Sequence, residues 1–315
     1  MKPLKTDISD QNFSNYLKNK REAKGITQEE LAEQLSSQSS LLAGIDSVTI
    51  SRWERGRINP SIRRQVEIMV YFGDSPYNLV KTQGFDFTNI KTIKQLSSLI
   101  DKEMSYDHFM GAHPYLDKRT DYFDKICQNP KTSKHWSTLI KNYQVNLLGE
   151  SNDWNIERIH ELQQHPTTVT VYYVVEGILG GHLVQCKIKP EYFDDFITGD
   201  IRPSQLDKSM LTDYGETGNY ALFSSYAGSK DIFLDLLSHI SMVLTRDDNY
   251  ELIAIRPKSD FDRELLNFFD KKKLSCEQQD NKTVPSTTET IYIISKSAFL
   301  SSSLYLSRLD TMDNC

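Results

Sequence analysis

The chain has 315 residues, of which 38% are hydrophobic and 25% charged, with a formal net charge of −6. This is the composition of a globular protein with room for two domains, and no apolar run approaches the roughly 18 residues that a membrane-spanning helix needs. The N-terminus MKPLKTDISD lacks the apolar core of a secretory signal, so we expect a cytoplasmic protein without a membrane partner. The four scattered cysteines form no CxxC pair, so we expect reduced thiols and no metal site.

The charge is unevenly distributed. Residues 1–80 hold 11 Lys and Arg against 10 Asp and Glu, whereas the rest of the chain is acidic. Within residues 47–64 a single acidic residue, Glu54, stands against five arginines, which are Arg52, Arg55, Arg57, Arg63 and Arg64. A focused basic patch can attract phosphate even on an acidic protein.

Capping signals predict the first two helices. The segment NFSNYLKNKREAKG has a polar start and apolar positions at helical spacing, and Gly25 ends it. Thr27, followed three residues later by Glu30, predicts a capping box at the start of a second helix, TQEELAEQL.

Three more helices are predicted before residue 83. The third covers residues 47–55, with Ser47 near its cap. The fourth begins at Pro60 and Ser61, and a shorter fifth covers residues 75–82.

The third helix separates its apolar from its polar side chains. Ile50 and Trp53 are one turn apart and are expected to face inward. The outer surface is expected to carry Val48, Thr49, Ser51, Arg52 and Arg55. Small polar residues and arginine on the outer face of a short helix are suited to a DNA major groove.

At this point the residues resemble a known family. The pattern TQEELAEQL…TISRWERGRINPS is similar to the helix-turn-helix domain shared by phage repressors and XRE-type bacterial regulators, over residues 13–72. The likeness implies that Gln28 would hold a phosphate. It also implies that Ser47, Val48 and Arg52 would read base edges, with Ser51 adjacent to them.

The same resemblance also implies roles for residues at and near the end of the third helix. Arg55 and Arg57 would lie near the flanking DNA backbone, and Arg21 with Glu54 matches a structural ion pair. One departure is an insertion, SSQSSLLA at residues 36–43, after which Gly44 takes the part of the usual turn glycine. The second helix is therefore longer than usual, or the turn is a loop.

Each of these assignments has an alternative in which the residue does not contact DNA. Arg52 is otherwise a solvated side chain on an exposed helix, and Gln28 a simple helix start. Arg63 and Arg64 either contact phosphate or only balance acidic neighbours. A helical domain of this kind can also serve as a protein-binding module.

The remainder is predicted as a helical connector followed by a mixed α/β domain. Helices are expected at TIKQLSSLIDKEM and SKHWSTLIKNYQVNLL, with a possible helix around residues 115–127. From about residue 150 the order is β-β-β-α-β-α-β, with Gly177 to Gly181 as the turn between the first two strands. The predicted domains are residues 1–83, expected to fold alone, then 84–150 and 151–315.

That element order is similar to the GNAT acetyltransferase fold. In active members a glycine-rich turn before the long helix holds the pyrophosphate of acetyl-CoA on backbone N–H groups. The corresponding stretch SSYAGSKD has one glycine and lacks the basic residue at the start of that pattern. Gly228, Ser229 and Lys230 are therefore only a possible ligand site, and we expect no catalytic residues and no cofactor.

Together these patterns predict a sequence-specific transcriptional regulator. We expect it to bind an operator in double-stranded DNA as a homodimer, with a C-terminal domain that senses a small molecule or a protein. The alternatives are an acyltransferase with a DNA-targeting domain, and an antitoxin-like or adaptor module that does not bind DNA.

Overall fold

A computed structural model gives the structure of residues 8–39, 41–77, 91–104, 124–127, 134–147, 154–175, 178–213, 215–257, 259–269, 272–277, 288–309 and 311–312. The chain divides into two compact units. The helical unit is drawn from residues 1–95 and 297–314, and the α/β unit from residues 96–296. The predicted boundaries stay predictions, and the helical unit differs from them by including the end of the chain.

The helices of the described residues follow in chain order. They are α1 (Ile8–Lys24), α2 (Gln28–Gln38), α3 (Ser47–Glu54), α4 (Ile62–Tyr71), α5 (Lys91–Glu103), α6 (Lys134–Asn142), α7 (Ile156–Gln164), α8 (Pro190–Thr198), α9 (Lys230–Arg246), α10 (Asp260–Leu266), α11 (Lys296–Leu300) and α12 (Ser303–Leu306). A π-helical turn, Tyr143–Leu147, continues α6.

The first four predicted helices are confirmed. Thr27 caps α2, and its hydroxyl and the carboxylate of Glu30 make the reciprocal bonds of a capping box. Ser47 is the first residue of α3, next to the cap as predicted, and the capping side chain is that of Asp46, which accepts from the backbone N–H of Thr49 at 2.8 Å. Pro76 and Tyr77 are helical, and the rest of the predicted fifth helix lies outside the described residues.

The strands of the described residues form one sheet in the order β1-β2-β3-β4-β5-β7-β6. They are β1 (Asp124–Cys127), β2 (Val169–Val175), β3 (Ile178–Ile188), β4 (Asn219–Ala227), β5 (Leu252–Ile255), β6 (Lys272–Glu277) and β7 (Thr288–Ser295). Pairing is antiparallel except between β4 and β5, where Tyr220 lies opposite Ile253 in parallel register. A parallel pair needs a crossover, and α9 supplies it.

Apolar side chains cover both faces of the sheet. On one face Tyr172 and Val184 pack with residues of α6, α7 and α8 in the larger core cluster. On the other, Val171 and Leu183 pack against Ile232 of α9. A sheet buried on both faces explains the near-continuous apolar runs of β2 and β3.

The five predicted strands are confirmed, and β1, β6 and α7 were missed. Residues 124–127 form a strand where a helix was suggested, while residues 115–123 lie outside the described residues. Helix α10 ends at Leu266, and the Lys-rich segment that begins at Lys272 forms β6. β1 and β6 are the two edge strands, which are often short and charged and so lack the alternation of an inner strand.

The expected turn of Gly177 to Gly181 was also wrong in part, because Gly180 and Gly181 lie inside β3. A Cβ atom on Gly181 would come within 2.6 Å of Ile232 Cγ2 and 2.9 Å of the Tyr226 carbonyl oxygen. Glycine is therefore needed for the close approach of α9 to the sheet, and not for a turn.

Candidate nucleic-acid interface

Helix α3 presents an exposed face built by its own periodicity. Ile50 is fully buried and Trp53 is 3% exposed, so both anchor the helix to the core of the helical unit. Val48, two residues before Ile50, is 52% exposed, and Arg52 is exposed on the same side of the helix. The expected exposure of Val48 and Arg52 on the outer face of α3 is therefore confirmed.

The other residues predicted on this surface divide into two groups. Ser47 and Thr49 are partly exposed, and Arg55 and Arg57 are exposed beyond the end of α3. Ser51 is buried, which corrects the expectation that it belongs to the outer surface.

Ser51 is hydrogen-bonded within its own helix. Arg55 folds back along α3, and its Nη2 donates to Ser51 Oγ at 2.6 Å. This bond gives the guanidinium of Arg55 a partner at the end of the helix. The hydrogen bonds of the described residues include none from the side chain of Arg52.

An ion pair behind the exposed face holds α3 against the first helix. Arg21 Nε lies 2.6 Å from Glu54 Oε1, and Arg21 Nη2 lies 3.1 Å from Glu54 Oε2. The Glu54 side chain is 4% exposed and that of Arg21 14%, so the predicted pair is present and largely buried. Hydrogen bonding to Glu54 raises the pKa of Arg21.

Gln28 joins this pair from the start of α2. Its Nε2 donates to Glu54 Oε2 at 2.7 Å, and the side chain is partly exposed. One carboxylate therefore connects α1, α2 and α3. A primary amide carries two N–H donors, so the predicted contact of Gln28 with a phosphate uses the second donor.

Part of the insertion before α3 extends the second helix. α2 runs on to Gln38, and Leu42, in the loop that follows, is fully buried. Gly44 has φ +76°, a left-handed conformation that favours glycine, and its N–H donates to Ser36 Oγ at 3.1 Å.

Arg64 Nε donates to the Leu41 carbonyl oxygen of the same loop at 3.1 Å. This bond is neither of the two roles expected for Arg64, and a phosphate contact stays a prediction. Arg63 is partly exposed and interacts electrostatically with Glu67.

An open groove of about 450 Å³ lies between α2 and the start of α3. Its lining includes the carboxylates of Glu29, Glu33 and Asp46. Hydrogen bonding with Thr49 lowers the pKa of Asp46, which therefore stays ionised at neutral pH. These carboxylates make the groove beside the start of α3 acidic.

One exposed apolar residue was missed by the sequence reasoning. Ile58, between Arg57 and Pro60, is 52% exposed, as Val48 is. These are the two large apolar side chains that are strongly exposed among the described residues. The segment after Gly56 has no helical or strand periodicity, so no sequence pattern indicated that Ile58 is exposed.

The possible ligand site at the start of α9 is occupied by the protein's own groups. Ser229 Oγ accepts from the N–H of Ile232 at 3.3 Å, and the N–H of Gly228 donates to the Gly180 carbonyl oxygen at 2.6 Å. Lys230 Nζ lies 2.5 Å from Asp101 Oδ1. The structure thus places the three predicted residues side by side, each in an internal contact.

Comparison with known proteins agrees with this geometry in the N-terminal region. The Helix-turn-helix family model matches residues 17–73, a range that includes α2, α3 and α4. This region is an XRE-type helix-turn-helix domain, and the match supports a DNA-binding transcription regulator.

The comparisons say little about the rest of the chain. No curated protein matches this chain. An uncharacterized protein from Bacillus halodurans, solved by crystallography, aligns with 59% of this chain and 97% of its own at 6% identity. Its TM-score of 0.34 is too low to support a fold assignment. Among the described residues, no helix is both long and apolar enough to cross a bilayer.

Proposed function

We propose that this protein is a sequence-specific transcriptional regulator that inserts α3 into the DNA major groove. The observation that carries the proposal is the exposure of Val48 and Arg52 on a helix anchored by Ile50 and Trp53. An arginine can bond two acceptors on a guanine edge, and a valine can contact a thymine methyl group. Arg55 and Arg57 would contact the flanking phosphates.

The length of α3 argues for two copies on one operator. Eight residues at about 1.5 Å each span about 12 Å, which is only three to four base pairs at about 3.4 Å per pair. So few base pairs give little specificity. We therefore propose a homodimer that holds two half-sites about one helical turn apart.

The α/β unit would supply the regulatory part, by sensing a small molecule or a protein partner. Its strand order, with antiparallel pairs on both sides of one parallel β4–β5 pair, supports the GNAT-like resemblance. We propose that it is not an acetyltransferase. The internal contacts of Gly228, Ser229 and Lys230 support this, because a pyrophosphate would have to compete with all three.

Selection from a pool of random DNA duplexes by the purified full-length chain tests the proposal. We expect enrichment of a pseudo-palindromic site and binding about 10³-fold or more tighter than to a scrambled duplex. Arg52→Ala should reduce that ratio, whereas Arg263→Ala, which removes an exposed arginine from the α/β unit, should leave it unchanged.

Two outcomes would favour the alternatives. Failure to enrich any sequence, with no retention on heparin, would favour a module that does not bind DNA. Acetyl-CoA binding in the low micromolar range by calorimetry, with acetyl transfer to an amine, would favour an acyltransferase.

A further inference from the structure

Many of the described side chains between residues 297 and 312 are deeply buried. Residues 297–312 are named here the C-terminal segment, and they cluster with residues 1–95 in the helical unit. Its buried apolar residues, each at most 7% exposed, are Ala298, Phe299, Leu300, Leu304, Tyr305, Leu306, Leu309 and Met312. So dense an apolar set in a short segment is typical of a core element and not of a tail.

Two polar contacts fix the C-terminal segment on the helical unit. Ser303 Oγ donates to Thr92 Oγ1 at 2.5 Å, which joins α12 to the first turn of α5. Ser297 hydrogen-bonds to the carboxylate of Glu67 on α4. Burial raises the pKa of Glu67, although its hydrogen bond with Ser297 opposes the shift.

Helix α4 is buried on more than one side. Val66 and Met69 lie one turn apart and are fully buried. Ile68 lies about 100° around the helix from Met69 and is also fully buried, and Glu67 beside it is only partly exposed. Contact with the C-terminal segment at Ser297 places one covering element beside Glu67.

We propose that the C-terminal segment docks on α4 and α5 as a closing element of the helical unit, so that DNA binding depends on residues at the far end of the chain. The connection is direct, because β7 ends at Ser295 and α11 begins at Lys296. Only Lys296 lies between the end of β7 and the first residue of this part of the helical unit. The dependence of DNA binding on this segment rests on the function proposed above.

Hydrogen exchange on the full-length chain tests the docking without using DNA. Tyr305 is fully buried, so Tyr305→Ala should loosen the C-terminal segment and accelerate exchange of the α4 amides at least about 10-fold. The amides of β2 and β3 should not change and serve as the internal reference. Thr311→Ser, at an exposed position of the same segment, is the matched control and should leave α4 unchanged.

A milder double-mutant cycle covers the case in which Tyr305→Ala does not fold. Ser303→Ala and Thr92→Val each remove one partner of the 2.5 Å contact, and their effects on α4 exchange should be non-additive. Unchanged exchange of α4 in Tyr305→Ala, or strict additivity in the cycle, would overturn the docking.

DNA affinity is measured separately on the same variants. Tyr305→Ala should weaken binding to the selected duplex at least about 10-fold, and Thr311→Ser should not. Faster α4 exchange with unchanged affinity would overturn the link to DNA binding. If the wild-type chain binds no duplex, the proposed function fails, and hydrogen exchange still decides whether the segment docks.

Discussion

The carboxylate of Glu54, at the last residue of α3, accepts two hydrogen bonds from the guanidinium of Arg21 on α1. Arg21 also donates to the Ile26 carbonyl oxygen at 3.0 Å, so the same side chain holds the turn before α2. A helix of eight residues is too short to be stable alone in water. The orientation of α3 therefore depends on this ion pair together with the burial of Ile50 and Trp53.

Loss of Glu54 should destabilise the helical unit strongly. Glu54→Ala leaves the guanidinium of Arg21 largely buried without its main partner, a change that typically costs about 3–5 kcal/mol. Urea unfolding of the full-length variant, followed by amide signals of α1 to α4, measures this loss.

Glu22 provides a matched control on the same arginine. Its carboxylate lies 3.7 Å from Arg21 Nη2, but its side chain is 53% exposed. An exposed pair contributes about 0–1 kcal/mol, so Glu22→Ala should change the free energy of unfolding little. Equal effects of the two substitutions would contradict the structural role given to Glu54.

Arg52 and Arg55 should differ in what they contribute to DNA binding. Arg52 lies in the middle of the exposed face, whereas Arg55 is tied to Ser51 at the end of α3. Arg52→Ala should reduce discrimination between the selected and a scrambled duplex by about 1–3 kcal/mol. Arg55→Ala should weaken both duplexes alike and lower the salt dependence of binding. Fluorescence-anisotropy titrations at two salt concentrations measure both quantities, and the reverse assignment would show that α3 is oriented differently.

His182 should make the stability of the α/β unit pH-dependent. It lies in a buried cluster where Nε2 is 2.7 Å from Ser224 Oγ, and Gln144 donates to the same oxygen at 2.6 Å. The rings of Tyr143 and Tyr226 lie beside the imidazole. Burial lowers the pKa of His182 from 6.5 to about 3, so the folded protein keeps this ring neutral.

The sign of the effect follows from proton linkage. Between the folded pKa of about 3 and the unfolded value of 6.5, the unfolded chain binds a proton at His182 and the folded chain does not. Stability is therefore fully present above pH 6.5 and falls as the pH is lowered through this window, by at most about 1.4 kcal/mol per pH unit. The free energy of unfolding, measured by urea titration with circular dichroism, should differ less between about pH 5 and about pH 7 in His182→Gln than in the wild type. An equal difference in both proteins would refute this assignment.

Cys186 should be chemically inert in the folded protein. It is fully buried on β3, and burial raises the pKa of its thiol to about 12. The thiolate is the reactive form, so alkylation at about pH 8 should spare Cys186 until the α/β unit unfolds. Mass spectrometry of the peptide that contains Cys186, with and without urea, checks this. Rapid labelling of the native chain would mean that β3 is open to solvent.

The sequence predicted the helix-turn-helix region well because its signals are local. The capping box of Thr27 and Glu30 and the one-turn spacing of Ile50 and Trp53 lie within short segments, and both are present in the structure. The hydrogen bond between Arg55 and Ser51 could not be predicted in this way. It depends on the rotamer of Arg55, which spacing does not determine.

Other features could not be predicted because they depend on distant partners. β7 ends at Ser295, although the segment ETIYIISKSAFL has apolar residues throughout, and the residues from Lys296 to Leu300 form α11. A short apolar run gives no sign of whether it will join a sheet or dock elsewhere. The Ser303–Thr92 contact joins residues 211 positions apart, a separation beyond the reach of any local pattern.

A genome-wide footprint of the tagged protein in its own cells tests whether α3 directs this protein to specific DNA sites. The wild-type protein should protect a small number of sites that share one motif. Arg52→Ala, expressed at the same level, should lose those sites while keeping weak, motif-free binding. A wild-type protein without protected sites, or an Arg52→Ala footprint identical to the wild type, would contradict the account.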